Sequence, residues 1–313
     1  ANGLTAVSVG IHMNGVTGIV IKNVWIHHIG RFVCSASVYG NTGIGGGWWG
    51  PWTNVTIDNS IISNVGRLRG QYPNQEIDPQ TGSLCTKTAG NGGLDQNDHG
   101  MYIDGLTSPG INGLTITRNV MYDNNRGYTL QFYGSDGTTN PACCVVQNVK
   151  IWNNTFADGK PATATQPQGQ HVLAKTLTNM DWKNNIFYLP FTSPLQPYGT
   201  HAFTNVTVDY NLTTNADPDL FTTAGAPTGA VTGTHNLVGA AASSIFVDPA
   251  NRNYNLKAGS PAIDAGASVG LAFNGLKPDM GAYEYTGAVA PAFDFTLSNG
   301  GAKSVLQGDS VAN

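Results

Sequence analysis

The densest run of chemistry-bearing side chains in the 313-residue chain is LDQNDHGMYID, residues 94–104. It brings together Asp95, Asp98, His99, Tyr102 and Asp104. Carboxylates are hard oxygen donors, and an imidazole or phenol beside a reacting atom can exchange a proton with it. Two cations follow, Arg126 just before YTLQFYG and Lys175 after HVLA. Each residue also has a plain structural reading. His99 shares strand parity with Met101 and can turn inward. Tyr102 can be one rung of an aromatic stack. Asp98 and Asp104 flank turns, where aspartate binds local backbone. Arg126 can pair with Asp123, and Lys175 can be a solvated surface charge.

Other constellations are thinner. WWGPW (48–52) sets Trp48 and Trp49 in a glycine-rich loop. Indoles there either stack on the apolar faces of sugars or pack as the loop's own core. His27 and His28 are strand neighbours, so they point to opposite faces and do not readily share a metal. Glu76 and Asp78 add acidic groups within a long loop. Walker, GxSxG, HExxH and GxGxxG contexts are absent. GIGGG (43–47) lacks the Lys-Ser/Thr that a phosphate cradle requires. Cys34, Cys85, Cys143 and Cys144 fit no zinc spacing and suit either reduced thiols or disulfides, the adjacent pair included.

Composition narrows the class. Charged residues are 11% and the formal net charge is -4, so a basic nucleic-acid face is not expected. No apolar run approaches a membrane span. The hydrophobic fraction of 40% supports a core. Forty glycines, with abundant Asn and Thr, disfavour helical bundles and coiled coils. The first residues, ANGLTAVSVG, contain no signal peptide.

What must position the reactive groups is a repeat. Six segments share an alternating apolar run, an Asn and a short apolar pair: GIVIKNVWIHHIG (18–30), NVTIDNSIISNVG (54–66), GLTITRNVMYDNNRG (113–127), NVKIWNNTFADG (148–159), NMDWKNNIFYLP (179–190) and NVTVDYNLTTN (205–215). The shared asparagines are Asn23, Asn59, Asn119, Asn154, Asn185 and Asn211. Alternation at period two marks half-buried strands, and Asn suits the turn between them. One such unit cannot bury its own apolar face, but stacked copies can, with the asparagines aligned as a ladder.

The pattern resembles the right-handed parallel β-helix repeat proteins of the pectate-lyase-like class, over roughly residues 5–215. It implies an all-β solenoid with long loop excursions, its coils filling 1–215. Residues 217–285, with SPAIDAG and DMGAYEY, resemble the C-terminal closing region of secreted bacterial β-helix proteins, so 216–285 is expected to cap the last coil. Residues 286–313 are similar to a linker and the opening of an immunoglobulin-like module. A longer multidomain parent is expected, monomeric and secreted or displayed at the cell surface.

Each coil needs a further strand before its repeat segment. GIHMNG (10–15), GMYIDG (100–105) and LQFYG (130–134) align on a glycine, with SASVYG (35–40) and HVLAKT (171–176) as looser matches. Alternation sends Ile11, Met13, Met101, Ile103, Leu130 and Phe132 inward. His12, Asn14, Tyr102, Asp104, Gln131 and Tyr133 then face out, as do Tyr39, His171 and Lys175. Long loops at 40–52, 67–98 and 134–144 flank this strip and can wall it into a cleft.

Lyases of the resembled class carry their reacting groups on such a strip. The resemblance therefore implies β-elimination on a uronate, in which the C5 proton is removed while the adjacent carboxylate is neutralised. Tyr102 or His99 would be the base, and Arg126 or Lys175 would stabilise the enolate. Asp95, Asp98 and Asp104 would hold Ca²⁺, the one cofactor suggested. His12, Tyr39, Trp48, Trp49, Gln131 and Tyr133 would line the polysaccharide. A glycoside hydrolase would instead use two of the three aspartates. The Asp-Asp and Gly-His-Gly strings of β-helix polygalacturonases are missing, however. A glycan-binding or adhesion stalk would use the strip without chemistry, and a uronan epimerase shares the lyase's first step.

Overall fold

In the longer strands of the repeat segments alternate residues are buried, among them Val55 and Ile57, Leu114 and Ile116, and Val149 and Ile151, as a pleated strand with one face on a core requires. The structure, a computed structural model, describes residues 9–30, 40–66, 75–77, 81–86, 98–105, 107–124, 128–133, 145–157, 171–173, 176–190, 193–197, 202–214, 220–221 and 228–287. Tyr39, Asp95, Arg126 and Lys175 lie outside these residues, as do Cys34, Cys143, Cys144 and the stretch 288–313.

The described residues form an all-β fold built on three parallel sheets. In stacking order the first sheet holds Val9–Met13, Thr42–Gly46, His99–Asp104, Leu130–Tyr133, His171–Leu173 and Leu195–Pro197. The second runs from Val16–Thr17 through Trp52–Asp58, Gly110–Thr117, Val145–Trp152, Thr176–Lys183 and Ala202–Asp209 to Ala230–Thr232. Val20–Lys22 also pairs with Trp52–Asp58. The third comprises Trp25–His27, Ile61–Ser63, Val120–Tyr122, Thr155–Ala157, Ile186–Tyr188, Leu212–Thr213 and Leu237–Val238. The chain visits the sheets in rotation, so each circuit lays one strand beside its predecessor in each sheet. This topology is compatible with a parallel β-helix. Two small antiparallel pairs complete the strands, Gln75–Ile77 with Leu84–Thr86 and Phe246–Asp248 with Asn253–Leu256. No helix among the described residues is long and apolar enough to cross a membrane.

Register stacks like on like inside. Ile11, Ile44, Met101 and Leu130 form one interior column, and Ile57, Ile116, Ile151, Trp182 and Val208 another. The rings of Phe156 and Phe187 stack at 5.4 Å on neighbouring strands of the third sheet. Burying each such side chain contributes about 1.5–3 kcal/mol.

The corner between the second and third sheets uses two adjacent positions. The first is a left-handed residue, filled in turn by Asn23, Asn59, Arg118, Asn153, Asn184 and Tyr210, with φ from 46° to 57°. The second carries the ladder. Ser60 N–H donates to Asn119 Oδ1, Asn119 to Asn154, Asn154 to Asn185, Asn185 to Asn211 and Asn211 to Asn236. Four of the six shared asparagines therefore stand in the buried ladder, but Asn23 and Asn59 do not. Asp58 pairs with Thr117 and Ile61 with Val120, which aligns Asn59 with Arg118 and Ser60 with Asn119. Asn236 extends the ladder by one rung that the repeat strings did not include.

From Val120–Tyr122 onward the third sheet is packed on both faces, whereas Trp25 on its first strand is exposed. Met121, Phe156 and Phe187 face the interior, while Tyr122, Ala157, Ile186, Tyr188 and Leu212 meet Phe246, Tyr254, Leu256 and Met280 from the C-terminal region. Asn184 exchanges hydrogen bonds with Ala267 at 2.8 Å each way, and Arg252 pairs with Asp123 at 2.6 Å. The C-terminal region thus lies along the side of the stack over several circuits, rather than only beyond its last one.

Candidate functional site

Strand parity gives the outer face of the first sheet a row of partners: His12, Gly45, Tyr102, Gln131, Val172 and Gln196. Gly45 leaves space in this row, and the Trp48 indole bridges it. Its ring centre is 4.8 Å from that of His12 and 6.0 Å from that of Tyr102. Trp49 closes one end at 5.8 Å from His12, and Tyr133 continues the other at 6.4 Å from Tyr102. His12 is exposed, Trp48, Tyr102 and Tyr133 are half-buried, and Trp49 is 76% exposed.

The two tryptophans leave the sheet because Gly46 and Gly47 have positive φ and pass against Met13 O and Asp104 O, where a Cβ would collide. The loop is then pinned. Gly47 N–H donates to Met13 O at 3.0 Å, Trp49 N–H to Asn14 Oδ1 at 3.1 Å, and Thr107 Oγ1 to Trp48 O at 2.8 Å. Asn14 Nδ2 also donates to His12 Nε2 at 2.7 Å, fixing that ring. Asn14 and Thr107 are positioning residues that side-chain type alone did not reveal.

The acidic cluster does not join this face. Asp98 is fully buried, and its Oδ1 accepts from the backbone and side-chain nitrogens of Asn41 at 2.7 and 3.0 Å. Asp104 is 2% exposed and Gln131 8%, so both share the outward parity without offering a group to solvent. Six residues of extended chain, about 20 Å, separate Asp98 from Asp104, too far to share one ion. Among the described residues, no group of three His, Cys, Asp or Glu side chains is placed to hold a metal.

His99 is buried, but against Tyr102 and not in the interior. It is 3% exposed, its Nδ1 accepts the Tyr128 N–H at 3.1 Å, and its ring lies between those of Tyr102 and Tyr128 at 5.2 and 5.9 Å. Burial lowers its pKa to about 4 and outweighs the neighbouring Asp98 charge. The ring is therefore neutral at ordinary pH, with its proton on Nε2. It packs beneath Tyr102 rather than facing the strip. In the backbone register His171 pairs with Leu195 and Val172 with Gln196.

The outer face of the second sheet is polar. Arg118 grips Asp58 with Nε and Nη2 at 2.8 and 2.6 Å, and Lys22 approaches at 3.4 Å. Burial raises the Asp58 carboxyl, but these cations and the Thr117 hydroxyl together hold it below its ordinary range. Further along the stack a groove runs past Lys150, Trp152, Asp181 and Lys183. The same alternation that marks the core marks these outward positions, each of which lies within a repeat string.

Compared with protein-family models, curated proteins and solved structures, the chain matches none.

Proposed function

We propose that the three sheets are the walls of a right-handed parallel β-helix of the pectate-lyase-like kind, and that the chain binds a polysaccharide along the outer face of its first sheet. The supporting observation is the continuous row of aromatic rings from Trp49 to Tyr133 across successive circuits. Flat rings suit the apolar faces of pyranoses, and rings fixed by packing lose little entropy on binding. A circuit spacing of about 4.8 Å also approximates one sugar residue of an extended glycan.

The reaction suited to this face is β-elimination on an acidic polysaccharide. Tyr102 is the base in this reading, because its side chain lies mid-row and half-exposed while His99 is buried. A second reading, a secreted glycan-binding protein without chemistry, is favoured by the burial of Asp98, His99 and Asp104, which leaves aromatic groups dominating the described strip.

Incubation with polygalacturonate and alginate, with and without Ca²⁺, tests both. Lysis generates an unsaturated, ultraviolet-absorbing product. Reducing ends without absorbance would indicate hydrolysis and end the lyase reading. Binding with neither signal leaves the non-catalytic one. Absence of binding to any acidic or neutral polysaccharide would remove the carbohydrate reading altogether.

A further inference from the structure

The outer face of the second sheet holds a shallow groove of about 340 Å³. Register sets Asn148, Asn179 and Asn205 side by side on three successive strands, all exposed. Their amides point head to tail. Asn205 Nδ2 donates to Asn179 Oδ1 at 2.9 Å, Asn179 to Asn148 at 3.1 Å, and Asn148 to Asn112 at 2.7 Å. Each Nδ2 carries two N–H groups and bonds among the described residues use one, so a second donor recurs on these three strands.

Two residues further along these strands stand Lys150 and Asp181. The Asp181 carboxylate is fully engaged, by Trp152 Nε1 at 3.0 Å, Thr207 Oγ1 at 2.6 Å and Lys183 Nζ at 3.1 Å. Lys150 makes no ion pair among the described residues; its ammonium lies 4.9 Å from the centre of the Trp152 ring. The groove therefore sets an ammonium outside any ion pair of the described residues beside amide donors repeated about every 4.8 Å.

We infer that this face is a second track for an acidic polysaccharide, laid along the stacking axis. The asparagine amides contact successive sugars, and Lys150 receives a uronate carboxylate. The inference rests on the carbohydrate reading above, extends it to a separate sheet, and makes the ligand anionic.

Affinity electrophoresis in gels containing polygalacturonate or alginate tests it, using the whole chain. The variants are Lys150→Ala, Asn179→Gly and Trp48→Ala. Glycine removes the Asn179 amide while tolerating its left-handed backbone, φ 52°. Lys150→Ala and Asn179→Gly should each weaken retention about fivefold or more, the loss of one charge-assisted or several neutral hydrogen bonds. Trp48→Ala should leave residual retention that adding Lys150→Ala removes. Unchanged retention in both Lys150→Ala and Asn179→Gly overturns the second track and leaves the aromatic strip standing, as does complete loss in Trp48→Ala alone. No retention of the wild-type chain on either polymer sinks the acidic-glycan reading itself. Should Asn179→Gly melt early, exposed Lys150 decides the matter alone.

Discussion

Asn185 Oδ1 receives both the backbone N–H and the side-chain amide of Asn154, each at 3.0 Å, inside a corner that excludes water. Asn211 does the same for Asn185 at 3.0 and 2.9 Å. Each rung thus satisfies the backbone of the one before it. Asn185→Ala takes the acceptor from the buried Asn154 backbone N–H and removes the amide that donates to Ile151 O and Asn211 Oδ1, and each such buried loss costs about 1–3 kcal/mol. A loss of about 3 kcal/mol or more is expected in denaturant unfolding. The exposed column behaves differently, and Asn179→Gly should cost well under that. Equal losses at the two sites would mean that the buried ladder carries no special stability.

His99 should shape the acid limb of stability. Its folded pKa of about 4 lies below the ordinary 6.5, so between those values the unfolded chain binds the proton and the folded one does not. Stability is complete above pH 6.5 and falls as pH drops toward 4, by on the order of 3 kcal/mol for the full shift. His99→Gln accepts the same Tyr128 N–H without titrating. Melting curves of the variant from pH 7 to 4 should be flatter than those of the wild type; parallel curves would place the acid sensitivity elsewhere.

Glu284 works in the opposite direction. Burial, assisted by the charges of Asp279 and Asp264, pushes its carboxyl up to about 7 despite backbone hydrogen bonds from Asn274 and Asp279. The folded state therefore holds a proton that the unfolded state releases near the ordinary value of 4.5. Its contribution is present below pH 4.5 and is lost as pH rises through 7. Glu284→Gln keeps an acceptor and removes the charge. It should melt higher than the wild type at pH 8 and match it near pH 5, and a variant that melts lower at pH 8 would contradict this assignment.

Tyr102→Phe separates chemistry from binding. The phenyl ring keeps its packing beside Trp48 and Tyr133, so retention on a uronate polymer should persist. Removing a general base typically costs about 10²-fold or more in rate. Ultraviolet-detected lysis should fall accordingly, whereas Trp48→Ala should weaken retention. Full lytic rate in Tyr102→Phe would exclude its phenol as the base.

Much of the scaffold was legible before any coordinates. Period-two alternation identified Ile11, Met101 and Leu130 as inward, and the repeat found four buried ladder asparagines, but the glycine-rich strand Thr42–Gly46, which sets Ile44 between Ile11 and Met101, reads as part of the 40–52 loop. The reading slipped wherever a strand ends. Left-handed corner residues shift the phase by one, so Asn59 fell into the wrong column and His28, φ 58°, swings back until its Nδ1 is 2.7 Å from that of His27. Alternation assigns faces only while the backbone stays extended.

The sequence by itself determined which residues repeat, which alternate and which strands must stack, because these are local consequences of side-chain size and backbone preference. It also named the rings of the strip: His12, Trp48, Trp49, Tyr102 and Tyr133. Only the tertiary structure decided that Asp98, His99, Asp104 and Gln131 are closed to solvent and that Lys150 makes no ion pair among the described residues. Burial and ion pairing depend on which distant segments lie overhead and alongside, and no spacing along one chain encodes that.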